Sequence, residues 1–177
     1  MKNKIFSIWL IGPTASGKTT VAKLIYEKLK KDYPNLVIVD GDEVRDLYDN
    51  KLGYDIESRK KNMQRYIRLS KWLFKHNINM IAAINGAIQS DRDLLRNEIT
   101  NYKEIYLNCS LKERIKRDKK KLYERALKGE VKNVLDVDIK FDKPIYCDLE
   151  CDAEADTPDI IAKNIISFNK LDLKKND

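Results

Sequence analysis

The chain contains 177 residues with a formal net charge of +7, and because a domain of this length buries roughly 70% of its unfolded surface, we expect a single domain over residues 1–177. No run of eighteen apolar residues is present, and the segment before the first strand is too short and badly flanked for a signal peptide, so we predict a cytoplasmic protein without a membrane partner. The excess of positive charge suits a polyanionic partner, either a nucleic acid or a small molecule that carries several phosphates.

The first predicted strand, Phe6–Ile11, leads into a glycine-rich loop. That loop matches the pattern G-x-x-x-x-G-K-[ST] and precedes a predicted helix, Thr19–Lys31. In such a loop, backbone N–H groups converge on phosphates, the lysine reaches the β and γ oxygens, and the final hydroxyl can bind Mg²⁺. The pattern predicts a nucleoside triphosphate site, with a plain strand-to-helix turn as the alternative. The predicted binding residues are Gly12, Thr14, Ala15, Ser16, Gly17, Lys18, Thr19 and Thr20.

The second predicted strand, Leu36–Asp40, ends in the sequence Asp-Gly-Asp. In a parallel sheet the carboxylates of Asp40 and Asp42 would face the phosphate loop, because the carboxyl ends of the strands share one edge. There they can order the water around Mg²⁺ and accept the proton of an attacking hydroxyl group. The alternative is an ordinary Asp-Gly turn in which an aspartate caps a helix.

The remaining elements alternate between helix and strand. Apolar residues at helical spacing predict a long helix before the third strand; they include Met63, Tyr66, Ile67, Leu73 and Phe74. Three more strands, a closing helix and a frayed tail are predicted at Ile78–Ile84, Lys103–Leu107, Ile145–Leu149, Asp156–Phe168 and Leu171–Asp177. This order predicts the α/β class with a P-loop NTPase fold: a mostly parallel five-stranded sheet with helices on both faces.

The tryptophans and cysteines are predicted to be structural. Trp9 lies inside the first strand and Trp72 beside the apolar stripe, so both are expected in the core. One histidine and three cysteines do not supply the ligand set of a zinc site, which predicts free thiols, with a redox pair of Cys147 and Cys151 as the alternative.

Further polar residues follow in an order seen in a known family. Leu52-Gly53-Tyr54 precedes an Arg-x-x-Asn-x-x-Arg series that starts at Arg59, Asp91-Arg92-Asp93 follows the third strand, and Arg117-Asp118 begins a basic segment that ends in Leu122-Tyr123. Together with the phosphate loop and Asp-Gly-Asp, this series resembles the adenylylsulfate kinases over roughly residues 6–165. The resemblance implies ATP and Mg²⁺ as cofactors, transfer of the γ-phosphoryl group to the ribose 3′-hydroxyl of a nucleotide activated at its 5′ end, a homodimer, and a mobile lid over about residues 117–140.

The resemblance also implies roles for individual residues. Lys18, Asp40 and Asp42 would be catalytic, with Asp42 as the base. Thr19 and Asp40 would hold the metal ion, and Arg117 would stack on the base of ATP. The residues implied for the acceptor nucleotide are Asp42, Arg45, Tyr54, Arg59, Asn62, Ile84, Asn85, Gly86, Lys120 and Val134.

The chain departs from the family where the acceptor base would lie. The family usually carries Phe-Ile-Ser-Pro where this chain has Ala83-Ile84-Asn85-Gly86, and the lid phenylalanine that stacks on the acceptor adenine is Val134 here. An aromatic stack contributes about 1–3 kcal/mol per base, so its loss favours a different acceptor base. The chain therefore looks like the cytidine diphosphoramidate kinase branch, which serves bacterial capsule modification, with an ordinary adenylylsulfate kinase as the alternative. Asn85 and Gln89 are candidates for pairing with cytosine.

Two alternatives belong to other functional classes. A nucleotide-dependent switch would need the phosphate loop, but it would not need a pocket for a second nucleotide. A polynucleotide end kinase would use the positive charge, yet no nucleic-acid-binding motif accompanies that charge. We therefore expect a small-molecule nucleotide acceptor and no nucleic-acid partner.

Overall fold

The computed structural model describes residues 5–171. Five strands form one sheet in the order β2-β3-β1-β4-β5, and every pairing is parallel. The strands are β1 (Ser7–Ile11), β2 (Leu36–Asp40), β3 (Asn79–Ile84), β4 (Tyr102–Asn108) and β5 (Leu149–Asp152). Because β1 is central, the loop that follows it lies between the carboxyl ends of β3 and β4, where parallel sheets bind ligands.

Helices cover both faces of the sheet. They are α1 (Lys18–Leu29), α2 (Gly41–Asp46), α3 (Ile56–Lys75), α4 (Gln89–Glu98), α5 (Leu111–Arg117), α6 (Leu122–Leu127) and α7 (Pro158–Phe168). Alternate residues of each strand point to opposite faces, so Ile8 and Leu10 pack with α1 and α7, whereas Trp9 and Ile11 pack with α3 and α4. The predicted α/β architecture is confirmed.

The fifth strand lies later in the chain than the sequence predicts. The prediction of Ile145–Leu149 is wrong, because the strand spans Leu149–Asp152 and Ile145 is 88% exposed. The carboxylate of Asp148 accepts a hydrogen bond from the backbone N–H of Glu104 at 2.8 Å. This side chain occupies a position that a strand would use for pairing, so the ladder with β4 begins only at Leu149.

The two tryptophans differ in their environments. Trp9 is completely buried, which confirms the prediction, whereas Trp72 is 55% exposed and its ring lies 4.7 Å from that of His76, so its predicted core position is wrong.

Cys109, Cys147 and Cys151 are free thiols, and burial raises the pKa of Cys151 to about 11. Leu171 packs against the core, while residues 172–177 of the predicted tail lie outside the described residues. Within residues 5–171, no helix is both long and apolar enough to cross a membrane.

Candidate active site

The loop after β1 has the tight backbone of a phosphate-binding loop. A Cβ atom at Gly12 would lie 2.7 Å from the Ser16 hydroxyl oxygen and 2.9 Å from the Leu107 carbonyl oxygen, so the position requires glycine. Ala15 and Gly17 both have positive φ, at 63° and 94°. Turns of this kind direct successive backbone N–H groups into one concavity that suits anions. The predicted loop is therefore formed, and it leads directly into α1.

Lys18 is folded across this loop. Its Nζ donates to the Pro13 carbonyl at 2.7 Å and lies 3.5 Å from the Ser16 hydroxyl oxygen. Desolvation by burial lowers the pKa of Lys18 to about 8, although the nearby carboxylates of Asp40 and Asp42 act in the opposite direction. The attraction of these carboxylates does not offset the desolvation of the buried ammonium group, so an anionic ligand such as a triphosphate would stabilise its charged form.

Asp40 connects the loop to the second strand. Its Oδ2 accepts a hydrogen bond from the Thr19 hydroxyl at 2.8 Å, and its Oδ1 accepts one from the Asp42 backbone N–H at 2.9 Å, which caps α2. Thr19 and Asp40 thus offer adjacent hard oxygen atoms. The described part of the chain holds no cluster of three or more His, Cys, Asp or Glu residues that could bind a metal ion. The oxygen atoms of Thr19 and Asp40 suit Mg²⁺, which takes few protein ligands and completes its coordination shell with phosphates and water.

A cavity of about 160 Å³ lies between the phosphate loop, α2, α3 and the end of β3. It brings together residues from distant parts of the chain that the sequence assigned to both substrates. The predicted residues that line it are Thr14, Ala15, Lys18, Thr19, Asp40, Asp42, Arg45, Arg59, Asn62, Ile84, Asn85 and Gly86. The cavity therefore places two arginines and the Asp42 carboxylate next to the phosphate loop.

Several other predicted residues lie outside this cavity, and their roles in binding stay predictions. Gly12, Ser16, Gly17 and Thr20 form the loop and the start of α1 behind it. Tyr54 is half-exposed, and its ring lies 4.6 Å from the Arg45 guanidinium. Lys120 is exposed in the turn before α6. Arg117 donates to the Ala153 carbonyl at 2.8 Å, and Val134 is buried against Tyr123 and Ala126.

The lid segment rests on the phosphate loop. Tyr123 of α6 is completely buried; its hydroxyl donates to the Thr14 carbonyl at 2.9 Å and accepts from Arg114 at 2.7 Å. On the other side, Arg59 of α3 donates to the Asn133 carbonyl at 2.9 Å. The segment therefore contacts both the nucleotide loop and the helix that lines the cavity. Its mobility stays a prediction.

Sequence reasoning missed the support beneath the segment Asn85-Gly86 after β3, which we call the acceptor loop. The completely buried Arg92 donates to the Gly86 carbonyl, and its Nε lies 3.4 Å from a carboxylate oxygen of Glu104. Arg96 and the Tyr102 hydroxyl bind the other oxygen of Glu104, at 3.0 and 2.8 Å. The Asp91-Arg92-Asp93 motif was the sequence feature that could have indicated this contact. The motif alone does not show whether the arginine side chain is buried or faces solvent.

A side chain at Gly86 would be strained and would displace Ile11. The φ of Gly86 is +54°, and a Cβ atom would lie 2.9 Å from the Cδ1 of Ile11. The loop also accepts a hydrogen bond at the Asn85 carbonyl from the Gly12 N–H, at 3.3 Å. One main-chain hydrogen bond thus joins the acceptor loop to the phosphate loop.

The central parallel sheet, the phosphate loop with its buried lysine, and the adjoining carboxylates define the class of P-loop kinases, enzymes that transfer phosphoryl groups. The more particular match is to the family described as Adenylylsulphate kinase, whose model covers residues 4–152. The chain belongs to the adenylylsulphate kinase family, which confirms the resemblance seen in its motifs.

Individual relatives support this membership. The chain is 40% identical to a cytidine diphosphoramidate kinase of Campylobacter jejuni subsp. jejuni over 81% of this chain and 84% of that protein. It is 34% identical to a probable adenylyl-sulfate kinase of Pyrococcus abyssi, over 91% and 92% of the two chains. The fold matches the solved structure of the Mycobacterium tuberculosis APS kinase in complex with AMPPNP and APS, with a TM-score of 0.87 at 23% identity over 94% and 98% of the chains.

Proposed function

We propose that the protein transfers the γ-phosphoryl group of ATP to the ribose 3′-hydroxyl of a nucleotide activated at its 5′ end, and that cytidine diphosphoramidate is this acceptor. The observation that carries the proposal is the cavity that joins Lys18 and Asp42 to the guanidinium groups of Arg45 and Arg59. A switch protein would have no use for two more cations beside its phosphate loop, whereas an anionic second substrate needs them.

The residues divide the work of phosphoryl transfer. Lys18 and the loop N–H groups bind the triphosphate, and Thr19 with Asp40 would hold Mg²⁺, which supplies positive charge to the phosphate oxygens. Asp42 is exposed at the first turn of α2, free to accept the proton of the attacking 3′-hydroxyl. Because such transfer requires little covalent chemistry, positioning and charge neutralisation account for most of the catalysis.

We propose cytidine as the acceptor nucleoside because of the residues expected near the acceptor base. Val134 is buried within the lid, against Tyr123 and Ala126, and offers no ring for stacking on adenine. Asn85 lines the cavity, whereas both ends of the Gln89 carboxamide are engaged, by Arg92 and the Ile145 N–H at one end and Asp93 at the other. We therefore assign recognition of the base to Asn85 rather than Gln89, and the 40% identity to a cytidine diphosphoramidate kinase favours the same acceptor.

Adenylylsulfate is the second candidate acceptor, because a probable adenylyl-sulfate kinase is 34% identical over most of both chains. From the family membership we also propose a homodimer in the cytoplasm that acts on a small nucleotide rather than a nucleic acid.

The deciding assay is ADP release with Mg-ATP and cytidine diphosphoramidate, adenylylsulfate or no acceptor. We expect release that depends on the acceptor, with the higher kcat/KM for the cytidine compound. A higher kcat/KM for adenylylsulfate would assign the protein to sulfate activation instead. ADP release at the same rate without any acceptor would reject the kinase proposal in favour of a nucleotide-dependent switch.

A further inference from the structure

The hydroxyl group of Tyr66 lies between the carboxamide of Asn62 and the backbone of Gly41. Both side chains are on α3, one turn apart, and both are at least 95% buried. The Asn62 Nδ2 lies 2.7 Å from the Tyr66 oxygen, and that oxygen lies 3.2 Å from the Gly41 carbonyl oxygen. The hydroxyl thus joins the cavity wall to the segment that carries Asp40 and Asp42.

The protons in this chain of hydrogen bonds fix the orientation of the carboxamide. A tyrosine hydroxyl has one proton, and burial raises the pKa of Tyr66 well above its ordinary value, so the proton is retained. The Gly41 carbonyl can only accept, so it takes that proton. The Tyr66 oxygen must then accept from Asn62, and the Nδ2 end of the amide faces Tyr66.

The opposite end of the amide is left without a partner. The Asn62 Oδ1 is buried and has no hydrogen-bond partner among residues 5–171. Asn62 lines the cavity together with Arg59, one turn earlier on α3, and Arg45. In the proposed function the two guanidinium groups bind the anionic, activated end of the acceptor nucleotide, which places the cavity wall that contains Asn62 beside that same end.

An unpaired acceptor in this wall discriminates between activating groups. The terminal amine of a phosphoramidate carries N–H donors, whereas an ionised sulfate offers only acceptor oxygens. A site built to form a hydrogen bond rejects an analogue that lacks the matching group. With sulfate, the buried carbonyl oxygen of Asn62 would stay without a hydrogen bond and would lie against another acceptor oxygen.

We propose that Tyr66 is a positioning residue that holds the Asn62 carbonyl oxygen toward the acceptor, and that Asn62 thereby selects nucleotides whose activating group donates an N–H over those activated by sulfate. This inference rests on the proposed kinase function and adds the feature of the acceptor that the site recognises. It concerns the activating group and is independent of the base.

The experiment separates the base from the activating group with four acceptors: the diphosphoramidates of cytidine and adenosine, and the 5′-phosphosulfates of the same two nucleosides. For the wild-type protein we expect kcat/KM at least about tenfold higher for the diphosphoramidate of either nucleoside. In Tyr66→Phe neither end of the carboxamide is held, so it can rotate and present Nδ2 to sulfate. The preference for the diphosphoramidates should then fall below about threefold, mainly because kcat/KM for the 5′-phosphosulfates rises.

Tyr146→Phe is the matched control, because this tyrosine is 61% exposed and lies outside the cavity; its preference should equal that of the wild type. Calorimetric titration of the four acceptors into the ADP-bound protein reads the same selectivity without turnover. Equal kcat/KM and equal affinity for the two activating groups, an unchanged preference in Tyr66→Phe, or no binding of any acceptor would each overturn the inference. Binding with the expected preference but without phosphorylation would support it and reject the kinase proposal alone.

Discussion

Removal of the Tyr123 hydroxyl tests how the lid is held on the phosphate loop. This single oxygen atom donates to the Thr14 carbonyl at 2.9 Å and accepts from Arg114 at 2.7 Å. The ring is completely buried and packs against Val134 and Ala126. Tyr123→Phe keeps this packing and removes only the two hydrogen bonds.

The expected cost follows from the groups that lose their partner. Each buried donor or acceptor left unpaired costs about 1–3 kcal/mol. Arg114 keeps its contacts to Asp136 at 2.6 Å and to the Cys109 carbonyl at 3.1 Å, so its share lies at the lower end, and the sum is about 2–4 kcal/mol. For a chain of this length, 1 kcal/mol shifts Tm by about 2–4 °C, which predicts a decrease of about 5–15 °C.

Urea unfolding and thermal melting of Tyr123→Phe measure this cost, with Tyr146→Phe as an exposed control that should stay within about 0.5 kcal/mol of the wild type. Because Thr14 is part of the phosphate loop, the affinity for ATP should fall as well. A free energy of unfolding within about 0.5 kcal/mol of the wild type would refute the argument, since the hydroxyl would then contribute nothing to lid docking.

Four further outcomes are expected. Asp42→Asn should reduce acceptor-dependent turnover by at least about a hundredfold while ATP binding persists, because only the base is lost; near-normal turnover would reject Asp42 as the base. Lys18→Ala should lower turnover by at least about a hundredfold, and a loss under threefold would contradict its role. The pKa of Lys18 falls from an ordinary 10.5 to about 8 on folding, so between these pH values the unfolded chain binds more protons than the folded chain. The ligand-free protein should therefore gain about 2 kcal/mol of stability from this group as the pH rises from 8 to about 10, and Lys18→Met should lack that gain in urea unfolding. Arg92→Met should destabilise the protein by about 3 kcal/mol in the same assay, because Glu104 loses a buried cation, and a cost below about 1 kcal/mol would show that Arg96 compensates.

Features that depend on neighbouring residues were predicted well from the sequence. The strand before the phosphate loop, the glycines within it and the carboxylates after β2 are local patterns, and the alternation of strands with helices then specifies a parallel sheet. The predicted position of the fifth strand was wrong because the side chain of Asp148 competes with backbone carbonyl groups for the N–H of Glu104. No periodicity in the sequence reports such competition.

Other features depend on tertiary contacts that the sequence pattern does not report. Tyr66 fitted the apolar stripe of α3, so its hydroxyl, which binds Asn62 and Gly41, was not considered. Val134 is expected at the acceptor from its position in the lid; the structure buries it against Tyr123 and Ala126 of α6, and its role in binding stays a prediction. Trp72 shows the opposite error, since its place beside the stripe did not bury it.

The two oxygens of Asp40 have a consequence for how this site can change in evolution. One oxygen contacts Thr19 and the other fixes the backbone N–H of Asp42, so the donor half and the acceptor half share a single carboxylate. Substitution of Asp40 would therefore alter the geometry at both substrates at once. Acceptor preference can diverge more readily at Asn62 and Asn85, which line the cavity and whose replacement leaves this shared carboxylate untouched.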